Sequence, residues 1–276
     1  MPEPFDFGGE IAWRPTPEYS ANCHLARFMR QHGLESFDAL LQRSTHDIAW
    51  FTEAVIKYLD IQFARPYRQV VDLSRGPAWP AWCVGGELNI VSNCLDKYQA
   101  DPARAGRLAL IWEGEAGETR RLSYAELFAD VNRCANLLRS LGLGRGDAIG
   151  LFMPMTPEIV VALLAIVRIG GMVLPLFSGY GAEAVALRLN DAGARALFTA
   201  DGGLRRGQLV PLKPIADEAA AQAPTLEHQI VLRRAGNAVR MQPGRDMWWH
   251  DCVPGQPAAA PAEPTAAEDP LMIIYT

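Results

Sequence analysis

The sequence is short of every pattern that marks a self-contained catalytic centre. Its five histidines, His24, His32, His46, His228 and His250, fall into no HExxH or HxxxH spacing, and no cysteine joins them in a zinc-ligand pattern. No metal site is expected from them. The five cysteines, Cys23, Cys83, Cys94, Cys134 and Cys252, are odd in number, scattered and without CxxC spacing, which favours a reducing cytosol over a disulfide framework. A GxSxG elbow and a complete Walker loop are both missing. Gly142, Gly144 and Gly146 form GLGRG, but they precede a strand instead of following one, so they read as a turn and not as a dinucleotide fingerprint.

Basic charge in excess is also lacking. A net charge of -5 and a pI near 5.6 argue against a nucleic-acid or anionic-membrane partner. The opening MPEPFDFGGE has neither the basic segment nor the apolar stretch of a secretory leader, and a cytoplasmic location is expected. One apolar run, residues 159–177 (IVVALLAIVRIGGMVLPLF), is long enough for a membrane span. Its interior contradicts that reading, because Arg168 would sit near the bilayer centre at a cost of about 3 kcal/mol. Gly170, Gly171 and Pro175 interrupt it further, so a buried helix followed by a buried strand is expected.

What is present is the profile of a soluble globular protein with a real core: 276 residues, 49% hydrophobic and 21% charged. Residues 1–107 read as a helical and loop lead-in that wraps a core. Within it, residues 36–41 and 44–59 each open with serine, and the second carries Ile48, Phe51, Val55 and Leu59 at helical spacing. Residues 70–96, rich in glycine, proline and tryptophan without a sustained period, read as a long ordered loop in which Trp79 and Trp82 are packing anchors.

From Leu108 the pattern sharpens. LALIWEG and TRRLSY are two strands joined by an acidic turn, a hairpin. Ser123 and Glu126 then form a capping box ahead of a helix bearing Leu127, Val131, Cys134, Leu138 and Leu141. Residues 108–253 go on to alternate strand and helix: DAIGLFM, a helix opened by Thr156-Pro157-Glu158, MVLPLF, a helix with Val185 and Leu189, ARALFTAD, a helix around residues 216–222, and HQIVLRR. The fold class expected is α/β, a mostly parallel sheet flanked by helices. Residues 254–268 are a Pro/Ala-rich connection, and residues 269–276 begin another strand.

Two loops follow carboxyl ends of these strands, where open α/β sheets bind ligands. FSGYGAE (residues 177–183) combines a glycine that admits close approach, Gly179, with a helix N-terminus that offers free amides. TADGGLRRGQ (residues 199–208) sets Arg205 and Arg206 among glycines, a pair able to hold a phosphate bidentately. On residues alone, a ligand site and a pair of glycine turns with a solvated charge cluster both remain open.

The strings WEGE (112–115), FMPMTPE (152–158), FSGYGAEA (177–184), TADGGLRRG (199–207), GRDMWWH (244–250) and AEDPLMIIYT (267–276) come in order. Together they resemble the acetyl-CoA synthetase branch of the adenylate-forming, AMP-binding acyl-CoA synthetases, over about residues 80–276. The earlier IAWRP, WFTEAVIKYLD and GGELNIVSNCLD resemble the lead-in of the same proteins. The resemblance implies the N-terminal subdomain of the acyl-CoA synthetase fold and a two-step ligase. A short carboxylate such as acetate or propionate attacks ATP to give an acyl-adenylate and pyrophosphate, and CoA then displaces AMP.

The resemblance also implies ATP, CoA and Mg2+ as the reaction's requirements, with Gly179 beside the CoA nucleotide and Arg205 at its 3′-phosphate region. Arg206 shares the CoA assignment, because Gln208 stands where a cation is common and the charge has shifted along the loop. Thr276 matches the first residue of the ATP phosphate loop. No catalytic residue is expected within these 276 residues, whose partner would be the remaining C-terminal part of the same chain. Two other readings stand beside this one: a non-catalytic CoA- or nucleotide-binding module with the same fold, and an adenylating enzyme with another acyl acceptor.

Overall fold

The computed structural model describes residues 11–275, which fall into two compact units divided between Ile61 and Gln62. The first unit is helical: α1 (Pro17–Asn22), α2 (His24–Gln31), α3 (Phe37–His46) and α4 (Ile48–Tyr58). Ser36 caps α3 as expected, its hydroxyl accepting the Ala39 N–H at 3.1 Å. Ser44 opens nothing. It lies inside α3 and donates back to the Leu41 carbonyl, while Asp47 caps α4 by accepting the Trp50 N–H at 2.8 Å. The apolar face of α4 is correspondingly displaced: Ala54 is buried with Trp50, Phe51, Val55 and Tyr58 around it, whereas Ile48 and Leu59 lie at the exposed ends.

The second unit opens with β1 (Gln69–Asp72), β2 (Ala81–Val84), β3 (Glu87–Leu88), α5 (Ile90–Cys94) and α6 (Pro102–Ala105). The stretch read as one long loop is therefore a small antiparallel pair, β1 with β2, followed by a short strand and a helix. Elements this short carry no period to read. Trp79 is no packing anchor, since it sits in the turn between β1 and β2 and is 67% exposed; Trp82 is half-buried.

β4 (Leu108–Glu113) and β5 (Thr119–Ser123) form the expected hairpin. Ser123 and Glu126 complete the capping box in both directions, at 3.2 and 2.8 Å. It opens α7 (Tyr124–Ser140), whose Leu127, Val131, Cys134 and Leu138 are buried.

Then come β6 (Ala148–Leu151), α8 (Pro157–Arg168), β7 (Met172–Pro175), α9 (Ala182–Asp191), β8 (Ala196–Ala200), β9 (Gly203–Arg205), β10 (Gln208–Val210), α10 (Leu212–Ala220), β11 (His228–Leu232), β12 (Asp246–Trp248), α11 (Trp249–Cys252) and β13 (Thr265–Ala266). The main sheet has the order β12-β11-β8-β6-β7, and every pairing in it is parallel. Helix α7 packs on α8, and α9 on α10. The chain reverses its direction across the sheet after β7, so right-handed crossovers put these two helix pairs on opposite faces. α10 begins earlier than the sequence suggests, at Leu212, because Leu212 and Ala216 both point into the core.

Residues 159–177 are helix then strand, and no described helix is long and apolar enough to cross a membrane. Arg168, the residue that opposed the membrane reading, is 3% exposed and forks onto Asp96 at 2.8 and 3.2 Å while also donating to the Ala260 carbonyl. The Pro/Ala-rich stretch is strapped to α7 and α8, with Asn132, Asn136 and Arg139 donating to carbonyls of Ala258, Pro257, Ala259 and Pro261. Beyond it, Met272 pairs in parallel with Val173 at the β7 edge of the sheet. Thr276 lies outside the described residues.

Candidate functional site

Strand β6 lies between β7 and β8, and the chain passes from β6 to β7 on one side before crossing back to β8 on the other. This reversal is the topological switch point of the sheet, where a crevice opens beyond the carboxyl ends of the strands. Both loops singled out from the sequence end there, one after β7 and one after β8, with the β6 loop between them. A cavity of about 290 Å³ is lined by Pro154, Met155 and Thr156 from the β6 loop, Ser178 from the β7 loop, and Gly203, Leu204 and Arg205 from the β8 side, with Trp112, Glu115 and Arg234 at its wall.

The β7 loop and the β8 loop touch. The Arg205 guanidinium stands 5.4 Å from the centre of the Phe177 ring, a cation–π arrangement. Gly179 lets these side chains pack close to its backbone: a Cβ there would lie 2.5 Å from Phe177 Cε1 and 3.1 Å from Arg205 Nη1, and both side chains would have to shift. The two residues assigned to one ligand by resemblance are thus adjacent in space. Arg206 is placed differently. It occupies the exposed apex of the β9–β10 hairpin with φ +54°, next to Gly207 at +72°.

Three acidic side chains that sequence spacing did not single out organise this loop. Asp201, fully buried at the end of β8, accepts the N–H groups of Gly202, Arg234, Ala235 and Gly236 at 2.7 to 2.9 Å. It therefore ties the start of the β8 loop to the loop after β11. Gly202 sits so close to that loop that a Cβ would come within 2.7 Å of Asn237 Oδ1. Glu115, from the β4–β5 turn, accepts the backbone N–H groups of Arg206 and Gly207, each at 3.0 Å. Those two amides, aided by the nearby Arg205 charge, hold the Glu115 carboxyl below the usual carboxylate range. Glu118 of the same turn pairs with Arg234, whose guanidinium lies 5.2 Å from the centre of the Trp112 ring. The Trp112 indole N–H in turn donates to the Met155 carbonyl at 2.7 Å.

Thr156 precedes α8 as expected, but its hydroxyl does not cap the helix; it is buried without a hydrogen-bond partner among the described residues. Among the described residues no group of three His, Cys, Asp or Glu side chains could hold a metal ion. The sequence signals for Glu115 and Glu118 are their membership of an acidic turn and, for Glu115, of the WEGE string. Their partners lie 91 to 116 positions away, beyond the reach of any local pattern.

The chain matches the family described as AMP-binding enzyme over residues 98–276, and the acetyl-coenzyme A synthetase N-terminus over residues 37–94. It is 43% identical over 244 residues to an acetyl-coenzyme A synthetase of Rhodopirellula baltica, covering 86% of this chain and 36% of that protein. To an acetyl-coenzyme A synthetase of Mycobacterium bovis it is 37% identical over 264 residues, or 95% of this chain and 40% of the relative. Among solved structures, acetoacetyl-CoA synthetase from Streptomyces lividans matches with a TM-score of 0.85 at 27% identity, over 96% of this chain and 41% of the other. The chain thus spans roughly two-fifths of the length of these relatives.

Proposed function

Since the chain belongs to the AMP-binding enzyme family, we propose that it forms the N-terminal part of an ATP-dependent acyl-CoA synthetase that activates a short carboxylate such as acetate or propionate. In the reaction, a carboxylate oxygen attacks the α-phosphorus of ATP and pyrophosphate leaves. The CoA sulfur then attacks the acyl carbon and AMP leaves. By the family resemblance, the groups that perform these two displacements would lie beyond these 276 residues, after a phosphate loop that would begin at Thr276. The residues here would serve CoA. Mg2+ finds no set of ligands among the described residues, and no step assigned to this chain passes through it.

One observation carries the reading: Gly179 and Arg205 meet at the switch point of the sheet, with Arg205 Nη1 3.1 Å from where a Cβ on Gly179 would be. An exposed guanidinium and an apolar ring packed over a glycine suit a phosphate joined to a flat base. Of the two arginines, Arg205 is the one that lines the cavity. Its contact would be with the 3′-phosphate region of CoA, with Arg206 adding charge at the hairpin apex. A cytoplasmic location goes with this activity.

The test is a panel of carboxylates incubated with ATP, CoA and the full-length protein, with release of pyrophosphate followed. Release that requires both a short carboxylate and ATP, with a thioester formed once CoA is added, supports the reading. Tight binding of CoA with no carboxylate-dependent pyrophosphate release would favour a non-catalytic module of the same fold.

A further inference from the structure

The hairpin that carries Arg205 is held from outside. β9 and β10 are three residues each and pair only with one another, and such an isolated two-stranded ribbon is marginal by itself. Its two central residues, Arg206 and Gly207, both have positive φ. A two-residue turn of this kind is suited to Asn-Gly or Gly-Gly, because a side chain in the left-handed region crowds the following carbonyl. Gly207 meets that requirement and Arg206 does not. The turn is therefore unfavourable where it stands, and a compensating contact is needed.

Glu115 supplies that contact, since its two carboxylate oxygens take the N–H groups of Arg206 and Gly207, one each, at 3.0 Å. Glu115 is itself braced. Its turn is closed by the Gly114 N–H donating to the Glu118 carbonyl at 2.8 Å, and Glu118 is paired with Arg234. A continuous set of contacts thus runs from the β4–β5 turn through Glu115 to the hairpin apex, and from there to Arg205 against Phe177 and Gly179.

We propose that Glu115 is a positioning residue that holds the Arg206–Gly207 turn so that Arg205 faces the 3′-phosphate of CoA, a role that rests on the CoA reading above. Glu115 touches no substrate in this account. A carboxylate so close to a phosphate site by charge alone weakens anion binding, and the two amides keep it ionised; its removal would therefore raise the preference for CoA if charge and not positioning were its role.

The experiment measures the affinities of CoA and of dephospho-CoA for the full-length protein by calorimetry. The unaltered protein should prefer CoA by about tenfold, the value of one charge-assisted phosphate contact. Glu115→Ala should reduce that preference to about twofold or less at an unchanged melting temperature, because Arg205 loses its fixed direction while the fold does not depend on an exposed carboxylate. Glu115→Gln, which keeps one acceptor oxygen, should fall between. Arg206→Gly alone loses the apex charge but frees the turn, and adding Glu115→Ala to it should leave the preference within about twofold of that single variant, because the turn no longer needs bracing.

An undiminished preference in Glu115→Ala would overturn the proposal, as would a Glu115→Ala loss that is just as large when Arg206 is already glycine. Equal affinity of the unaltered protein for the two ligands would overturn it as well, by removing the phosphate from the site. If the unaltered protein bound neither ligand, the CoA reading itself would fall, a result distinct from the others.

Discussion

Lys213 and Asp246 form an ion pair at 2.7 Å in which the lysine side chain is 1% and the aspartate 0% exposed. Arg245 and Asp217 complete the group: Arg245 donates to both aspartates, and Lys213 also reaches Asp217. The cluster joins α10 to the edge strand β12. Each buried charge is tolerable because it is paired on more than one side.

The pH dependence of stability follows from Asp246. Burial pushes its carboxyl up, but hydrogen bonds from Arg245, the Gln242 N–H and Lys213 outweigh that and leave it below its ordinary value of 3.8. A folded pKa below the unfolded one gives stability that is complete above the unfolded value and is lost as pH falls through the folded value. Thermal melts should therefore be level from about pH 5 to 7 and fall steeply below about pH 4. Asp246→Asn should cost about 3 kcal/mol at pH 7 and flatten the acid limb. An unchanged acid limb in this variant would show that other carboxylates set it.

The Arg168–Asp96 pair gives a second stability prediction. Arg168 is almost fully buried while Asp96 is partly open to solvent, so the pair is worth less than an enclosed one. Asp96→Ala leaves the guanidinium, among the described residues, with the Ala260 carbonyl and the Phe128 ring, and should cost about 2 kcal/mol in urea unfolding. A loss below about 0.5 kcal/mol would mean that water replaces the carboxylate without penalty.

Thiol labelling tests the core between α7 and α11. Burial pushes the Cys134 thiol well above its ordinary value, and pushes Cys252 up to about 11. At pH 8 only about one Cys252 in a thousand is a thiolate, and Cys134 has no access to reagent. Mass spectrometry after maleimide treatment at pH 8 should find Cys134 unlabelled in the native protein and labelled in urea. Rapid native labelling of Cys134 would contradict the packing of α7.

Gly179→Ala probes the approach of the two loops. The new methyl would displace the exposed Phe177 ring and crowd Arg205, neither of which supports the core. Stability should change by less than about 1 kcal/mol, while the KM for CoA rises by about tenfold. A CoA dependence equal to that of the unaltered protein would mean that the glycine serves the turn alone.

How far these features could be read in the sequence depended on their range. The parallel sheet was legible because strand and helix periods alternate over residues 148–232 and because the Ser123–Glu126 box marks a helix start in four residues. The placement of the two candidate loops followed from topology, since a loop after a parallel strand lies at the carboxyl edge whatever its composition. The braces were not legible: Glu115 reaches Arg206 across 91 positions, and Asp201 collects amides more than 30 positions away. The hairpin β9–β10 was read as a basic loop because three-residue strands have no period. For α4 the sequence offers two competent caps, Ser44 and Asp47, and nothing local decides between them; in the structure Asp47 caps the helix and Ser44 lies inside α3.

If the Arg205 loop serves CoA and not ATP, full-length Arg205→Glu should separate the two half-reactions. Carboxylate-dependent exchange of pyrophosphate into ATP reports adenylate formation, and thioester formation at low CoA reports the second step. The account predicts exchange within about twofold of the unaltered protein, and thioester formation reduced by roughly ten- to a hundredfold, the value of a lost charge-assisted phosphate contact of about 1.5 to 3 kcal/mol. Arg206→Glu, altering the apex and not the cavity wall, should show the smaller effect. Equal losses in exchange and thioester formation would contradict the account, because they would make the loop a support of the fold or of the ATP site.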